Sequence, residues 1–339
     1  MAEPNGIRRL AVLRALFLGD LLVAVPAFRS LRAGFPNAEI TLIGLPWARS
    51  FVRRFDQYFD RFVEFGGYPG LKDVELPAWR STAFVEEQRR YRYDLVVQMH
   101  GSGEQSNPCA LALGGRHTAG YYHGRPPQGL EPAAPYPDEQ HEVARNLGLA
   151  RLLGCPPPPA ADLKLEFPVS FEDRVEAHRL LSPLQDRSGP LVTIHPGSKD
   201  PVRRWPPARF AALADGLVRR LHARIVVAGG ADEQAIAAAV VAGMRYPAID
   251  VSGHTSLGGL AALIKCSDLF IGNDSGPSHL AEAVGTPSIR IFRRSGGQWG
   301  PLDRTRHLIV SDGTNRGGWI EPDRVLAAAE TMLAPGEVA

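Results

Sequence analysis

Leu269-Phe270-Ile271-Gly272-Asn273-Asp274-Ser275-Gly276-Pro277-Ser278-His279-Leu280, followed by Gly285-Thr286-Pro287 and Ser288-Ile289-Arg290-Ile291-Phe292, is a strand, a turn, a helix and a second strand in one passage. The apolar run 269–271 is too short for a helix and reads as a buried strand. The small and polar residues after it open a helix over about 275–284, and 288–292 is a second buried strand. Two strands joined through one helix by turns this short lie parallel, with the helix across one face.

The alternation continues in both directions. In the second half, strands are expected at 191–194, 224–228, 248–251 and 308–310, with helices at about 207–221, 231–243 and 256–265. In the first half, strands are expected at 10–13, 40–43, 61–65, 95–99 and 118–121. The helices between and after them fall at about 20–33, 46–54, 77–91, 102–113 and 138–153. Cys155-Pro156-Pro157-Pro158-Pro159 cannot be helical and reads as an extended spacer, and a second break runs from Ser182-Pro183 to Gly189-Pro190. The expected fold class is therefore α/β: a Rossmann-like, doubly wound domain over 1–168, a linker over 169–189 and a second such domain over 190–339. The last helix is expected to pack back on the first domain. The Pro- and Gly-rich segment 121–137 matches neither pattern, and an acceptor loop is one reading of it.

Composition narrows the function. The 339 residues carry 38 Lys+Arg against 36 Asp+Glu, a net charge of +2, which fits neither a basic nucleic-acid binder nor an acidic tail protein. Lys72, Lys164, Lys199 and Lys265 are the four lysines, and every other basic residue is arginine, so arginine alone marks no site. Cys109, Cys155 and Cys266 are odd in number and far apart, which argues against a disulfide framework or a structural zinc. The apolar stretch 10–28 contains Arg14 and Asp20 and is neither a secretory signal nor a membrane span. A soluble, cytoplasmic chain is expected. It has no Walker loop, no Gly-x-Gly-x-x-Gly fingerprint, no Asp-x-Asp and no His/carboxylate cluster, so no bound metal is expected. Gly101-Ser102-Gly103 lacks the nucleophile-elbow pattern of a serine hydrolase.

Three motifs carry chemistry. Phe17-Leu18-Gly19-Asp20 follows the first strand, and Asp20 lands at a helix start. There it either caps free N–H groups or serves as a base for a hydroxyl. A capped, ionised carboxylate is a weak base, so burial or substrate must raise its affinity for a proton. His195-Pro196-Gly197-Ser198-Lys199 and then Arg203-Arg204-Trp205-Pro206 end a strand in a small-residue loop with three cations, which suits a pyrophosphate or is a solvated basic turn. Trp205 reads as a packing residue. Asn273-Asp274-Ser275-Gly276-Pro277-Ser278-His279 opens a helix whose N–H groups and dipole favour an anion. Alternatively, Asp274 or Ser275 is only a cap and His279 a core residue. Gly229-Gly230-Ala231-Asp232-Glu233 ends another strand in a glycine turn whose carboxylates bind a ribose or cap the next helix.

In this order the motifs resemble glycosyltransferase family 9, the ADP-heptose:lipopolysaccharide heptosyltransferases and their relatives. Gly19-Asp20 with Pro26, His141 with Arg145-Asn146, Pro196-Gly197-Ser198, Arg203-Arg204-Trp205-Pro206 and the passage from Asn273 to Leu280 with Gly285-Thr286-Pro287 all sit where that family has its landmarks. The resemblance implies a GT-B architecture of two facing Rossmann-like domains with a central cleft, and an inverting, metal-independent transfer. It implies Asp20 as general base. It implies donor contacts from Gly197, Ser198, Lys199, Arg203, Glu233, Thr255, Asp274, Ser275, Gly276 and His279, with Glu233 near the ribose and Thr255 near the base. No cofactor is implied beyond the nucleotide sugar, ADP-heptose being the leading candidate. The partner is a glycan or glycolipid acceptor as in lipopolysaccharide core assembly, with no nucleic acid. Contact with the inner face of a membrane would fall to Arg53, Arg54, Arg61, Arg89, Arg90 and Arg92. The chain departs from the family where Arg203 replaces a lysine, Ser275 a threonine, and Phe292-Arg293-Arg294-Ser295-Gly296-Gly297 a Phe-Gly-Pro-Thr-like loop. Other readings remain open at this level: the same fold with a different NDP-sugar or a small-molecule acceptor, an epimerase for which Asp274 is the one carboxylate to nominate, or a catalytically silent nucleotide-sugar-binding protein.

Overall fold

A computed structural model describes residues 6–71, 78–159, 163–184, 188–293, 297–313 and 318–334. The chain divides into two compact units, Met1–Lys164 and Leu165–Ala339. In the first, strands β1 (Arg9–Leu13), β2 (Glu39–Gly44), β3 (Arg61–Glu64), β4 (Leu95–Gln98), β5 (His117–Tyr122) and β6 (Leu130–Pro135) form one parallel sheet in the order β3-β2-β1-β4-β5-β6. Helices α1 (Leu18–Gly34), α2 (Ala48–Arg54), α3 (Ala78–Tyr91), α4 (Asn107–Ala112) and α5 (Glu142–Leu152) connect and cover it. Leu10, Ala11, Val12 and Leu13 are all fully buried, which is why β1 is an unbroken apolar run rather than an alternating one.

The second unit repeats the plan. Its helix α6 (Phe171–Leu181) comes first. Then β7 (Leu191–His195), α7 (Pro207–Leu221), β8 (Arg224–Val227), α8 (Gln234–Gly243), β9 (Ile249–Asp250), α9 (Leu257–Lys265), β10 (Leu269–Asn273), α10 (Gly276–Val284), β11 (Ser288–Ile291), β12 (His307–Val310) and α11 (Pro322–Leu333) follow. The parallel order is β12-β11-β10-β7-β8-β9. Read from its other edge this is the order of the first sheet. In both sheets the chain therefore winds one way from a central strand and then reverses, between β1 and β4 in one and between β7 and β10 in the other. Ligands of such sheets bind outside the carboxyl ends of the strands at that reversal.

Three elements differ from expectation. Segment 121–137 contains β6, whose Pro132 and Pro135 cannot donate to a ladder and are tolerated because the strand lies at the sheet edge. Residues 169–189, read as a linker, contain α6. A capping box starts this helix: Asp173 N–H donates to Ser170 Oγ at 3.2 Å, and Ser170 N–H donates to Asp173 Oδ2 at 2.8 Å. The last helix, α11, buries Val325, Leu326 and Ala329 in the core of its own unit and packs on α7.

Helix α6 also finishes the site side of the second unit. Glu176 accepts Ser256 N–H at 2.7 Å and the Ser256 hydroxyl at 2.6 Å, while Ser256 Oγ caps α9 by accepting Gly259 N–H at 2.9 Å. A Cβ on Gly259 would lie 2.1 Å from Glu176 Oε1, so the carboxylate sits directly on the helix backbone. Replacing Glu176 by Ala should therefore cost about 1 kcal/mol, in the range of a lost helix cap, measured by urea unfolding. A true linker residue would leave stability unchanged.

Candidate functional site

In the second unit the two strands beside the reversal end in His195-Pro196-Gly197-Ser198 and Asn273-Asp274-Ser275. Asn273 is fully buried and joins them. Its Nδ2 donates to Pro196 O at 2.8 Å and Gly197 O at 3.2 Å, and its Oδ1 accepts Trp205 N–H at 3.0 Å. Its own carbonyl accepts the Ser278 hydroxyl at 2.6 Å and the Ser275 hydroxyl at 3.3 Å. One amide thus fixes the loop after β7, the start of α10 and the chain entering α7. Trp205 is itself a buried core residue, stacked edge-on against Phe210, as its packing role predicts.

Around this tie the polar side chains close up. A Cβ on Gly197 would fall 2.0 Å from Glu233 Oε1, so a larger residue there would push that carboxylate out of its place against the loop. Glu233 Oε2 accepts Gly230 N–H at 2.8 Å and lies 3.1 Å from His195 Nε2. Burial opposes the charge of Glu233, but His195, the Gly230 N–H and the Arg204 guanidinium outweigh it and hold the carboxyl down at about 2. Arg204 Nε donates to Ser198 O at 2.8 Å. Arg203 NH1 lies 3.1 Å from Asp274 Oδ2 and its Nε 3.6 Å from Asp200 Oδ2. Burial raises Asp274 above the usual carboxylate range, against the pull of Arg203 and Arg290. Ser275, extended at the head of α10, turns its hydroxyl back to Asn273 O and does not cap the helix. The first turn of α10 thus takes no cap from the Ser275 hydroxyl.

In the first unit the reversal lies between β1 and β4, and a buried arginine takes the place of the amide. Arg14 follows β1. Its Nε and NH2 donate to Asp20 O at 3.0 and 2.8 Å, and its NH1 donates to Met99 O beyond β4 and to Asn146 Oδ1 at 3.0 Å. Asp20 stands in the first turn of α1, and its Oδ2 accepts Phe17 N–H at 3.2 Å. Burial raises Asp20 above the usual carboxylate range, opposed by Arg14, the Phe17 N–H and His100. His100 accepts Ala15 N–H on Nδ1 at 3.2 Å and is held by Gln98 Oε1, to which its own N–H donates at 2.6 Å. Glu142 pairs with Arg145 at the start of α5 and is likewise raised by burial, against Arg14 and Arg145. Of the two roles foreseen for Asp20, the capping one is present in its contact with Phe17 N–H.

The family model for glycosyltransferase family 9 (heptosyltransferase) matches residues 81–316. The chain belongs to glycosyltransferase family 9. The lipopolysaccharide heptosyltransferase 3 of Escherichia coli is 25% identical over 293 residues, covering 81% of each chain. The structure of a family 9 glycosyl transferase from Veillonella parvula superposes with a TM-score of 0.78 at 22% identity, covering 96% of this chain and 97% of that one. That of the ADP-heptose lipopolysaccharide heptosyltransferase II of E. coli gives 0.75 at 20% identity, covering 96% and 98%. The protein is thus a glycosyltransferase with the GT-B fold, as the motif order implied.

Within this family 9 enzyme, the structure gathers Gly197, Ser198, Arg203, Glu233, Asp274, Ser275, Gly276 and His279 at the second reversal and Asp20 at the first. Arg203 and Asp274, both read from the sequence as donor contacts, are paired with each other. Lys199 is exposed, and Thr255 is half-buried just ahead of the cap of α9. Arg294, Ser295 and Gly296 lie outside the described residues, while Arg293 stacks over Trp319 at 5.7 Å. Of the arginines offered to a membrane, Arg61 lies 3.9 Å over the Tyr91 ring and Arg89 donates to Ala112 O, so both are engaged in the fold; Arg53, Arg90 and Arg92 are exposed. No described helix is long and apolar enough to cross a membrane, and no described cluster of three or more His, Cys, Asp or Glu side chains is arranged to hold a metal ion.

Sequence reasoning gave no role to Asn273, Arg14, Asn146, Glu142, His100 or Arg290. The usable signal was position: a polar residue closing an otherwise apolar strand is buried, and a buried polar group needs partners. Removing the Asn273 amide orphans three backbone groups. Asn273→Ala is expected to lower stability by about 2–3 kcal/mol. In the variant that remains folded at low temperature, ADP should bind at least about tenfold more weakly by calorimetry. Unchanged ADP affinity would show that Asn273 does not shape the ligand site.

Proposed function

We propose that this glycosyltransferase moves heptose from ADP-heptose to a hydroxyl of a glycolipid acceptor, as in lipopolysaccharide core assembly, with inversion and without a metal or other cofactor. The observation that carries the donor reading is the head of α10. Its cap residue is turned away, and Arg203, the Gly197-Ser198 loop and His279 stand on the same reversal. A leaving diphosphate gains charge as the sugar–phosphate bond breaks. Fixed N–H donors and cations already in place stabilise that charge without reorganising. The names of the E. coli relatives support heptose as the sugar, ADP as the nucleotide and lipopolysaccharide as the acceptor class.

Asp20 supplies the other half of the reaction. Its carboxylate takes the proton of the acceptor hydroxyl as the hydroxyl oxygen forms a bond to the anomeric carbon, and the bond from that carbon to the diphosphate breaks with both electrons leaving on ADP. A carboxylate whose proton affinity is raised by burial is a better base than a solvated one, which is what this step needs. Arg14 sets the position of Asp20 through its backbone carbonyl while leaving the carboxylate unpaired by a direct contact. We further propose that Arg53, Arg90 and Arg92 face the anionic surface that presents a lipid-linked acceptor, at the cytoplasmic side of the membrane.

Asp20→Asn tests this assignment. Asparagine still accepts the Phe17 N–H, and ionising a buried carboxyl opposes folding at neutral pH, so the variant should be no less stable than the parent. It should bind ADP-heptose normally and lose a factor of about 10²–10⁴ in kcat, followed by ADP release. In the parent, kcat/KM should rise with pH through an ionisation displaced upward from the ordinary carboxylate range. A variant that turns over at the parent rate would remove Asp20 from the chemistry.

A further inference from the structure

Arg290 is fully buried in the middle of β11, opposite Gly272 of β10. Its NH2 pairs with Glu282 on α10, its NH1 lies 3.3 Å from His279 Nδ1, and its Nε is buried with no hydrogen-bond partner. Glu282 in turn accepts Leu302 N–H on Oε1 at 2.9 Å. Asp274 and His307 are the other ionisable groups within electrostatic reach of Arg290. His279 is 3% exposed and packs edge-on against Trp299.

This arrangement is a poor way to gain stability. A buried ion pair loses much of its attraction to desolvation, and an orphaned donor adds a further cost. What it does fix is the imidazole. A guanidinium has five donors, no acceptor, and keeps its proton in proteins, so the nitrogen facing it must be the lone-pair nitrogen. The geometry points to Arg290 as a positioning residue: with Glu282 holding it, Arg290 sets His279 in the tautomer protonated on Nε2, the form whose Nε2–H can donate to an anion. The identity of that anion as a donor diphosphate rests on the proposed function; the state of the imidazole does not.

The test uses the full chain labelled with ¹⁵N-histidine, with the His279 signals assigned by their loss in His279→Gln. Long-range ¹⁵N–¹H correlation at neutral pH should show Nδ1 as the unprotonated and Nε2 as the protonated nitrogen. In Arg290→Met/Glu282→Gln, which removes both charges and keeps an acceptor for Leu302 N–H, the two neutral forms should mix. That variant should melt no lower than the parent, yet bind ADP about tenfold more weakly, the scale of one hydrogen bond to a charged group. A parent His279 protonated on Nδ1 would overturn the assignment, as would a double variant with an unaltered nitrogen pattern or unaltered ADP affinity. Failure of the parent to bind ADP would overturn the proposed function instead, while the nitrogen pattern would still decide the role of Arg290.

Discussion

Where a doubly wound sheet reverses its strand order, neighbouring strands send their chains to opposite faces, and nothing in the backbone ladder joins the two loops that leave them. Each unit of this protein meets that constraint with one buried polar side chain. In the second unit the Asn273 amide spans from the end of β10 to the carbonyls of Pro196 and Gly197 and to Trp205 N–H. In the first unit the Arg14 guanidinium spans from the end of β1 to Met99 O beyond β4, to Asp20 O and to Asn146. The chemistry-bearing residues hang from these two ties, because Asp20 is placed through Arg14 and the Gly197 loop and α10 through Asn273.

The two ties differ in charge, and the difference suits what each unit has to do. An arginine near Asp20 keeps a positive field beside the carboxylate proposed as the base, and so limits how far burial raises it. A neutral amide under the Gly197 loop adds no charge of its own. It leaves the field there to the α10 dipole, Arg203, Arg204 and the Glu233–His195 pair, with Glu233 kept ionised by its partners. Removing either tie therefore has two consequences, a buried group left without a partner and a site moved out of register.

Most of the fold was legible because parallel strands buried on both faces leave short apolar runs that turns and amphipathic helices separate cleanly. What was missed had weak local signals. Strand β6, Leu-Glu-Pro-Ala-Ala-Pro, reads as a loop, and only its place at the sheet edge makes it a strand. Helix α6 has few apolar positions and lies between two proline breaks, although the Ser170/Asp173 capping box announced its start. In the site, the motif residues were visible as motifs, but their pairings were not. Arg203 with Asp274, and Glu233 with both Gly197 and His195, are contacts between loops far apart in sequence. Arg290 gave no motif at all; a charge inside a buried strand was its one signal, and its partner, Glu282, is eight residues away across a helix and a turn.

The most direct measurement is calorimetric titration of the full chain with ADP-heptose, with UDP- and GDP-sugars as competitors. Saturable one-to-one binding of ADP-heptose, undisturbed by the other nucleotide sugars and weakened in Asn273→Ala, is what a diphosphate seat built on the second reversal requires. Preference for a UDP- or GDP-sugar would contradict the donor assignment, and binding indifferent to Asn273 would contradict the placement of the seat.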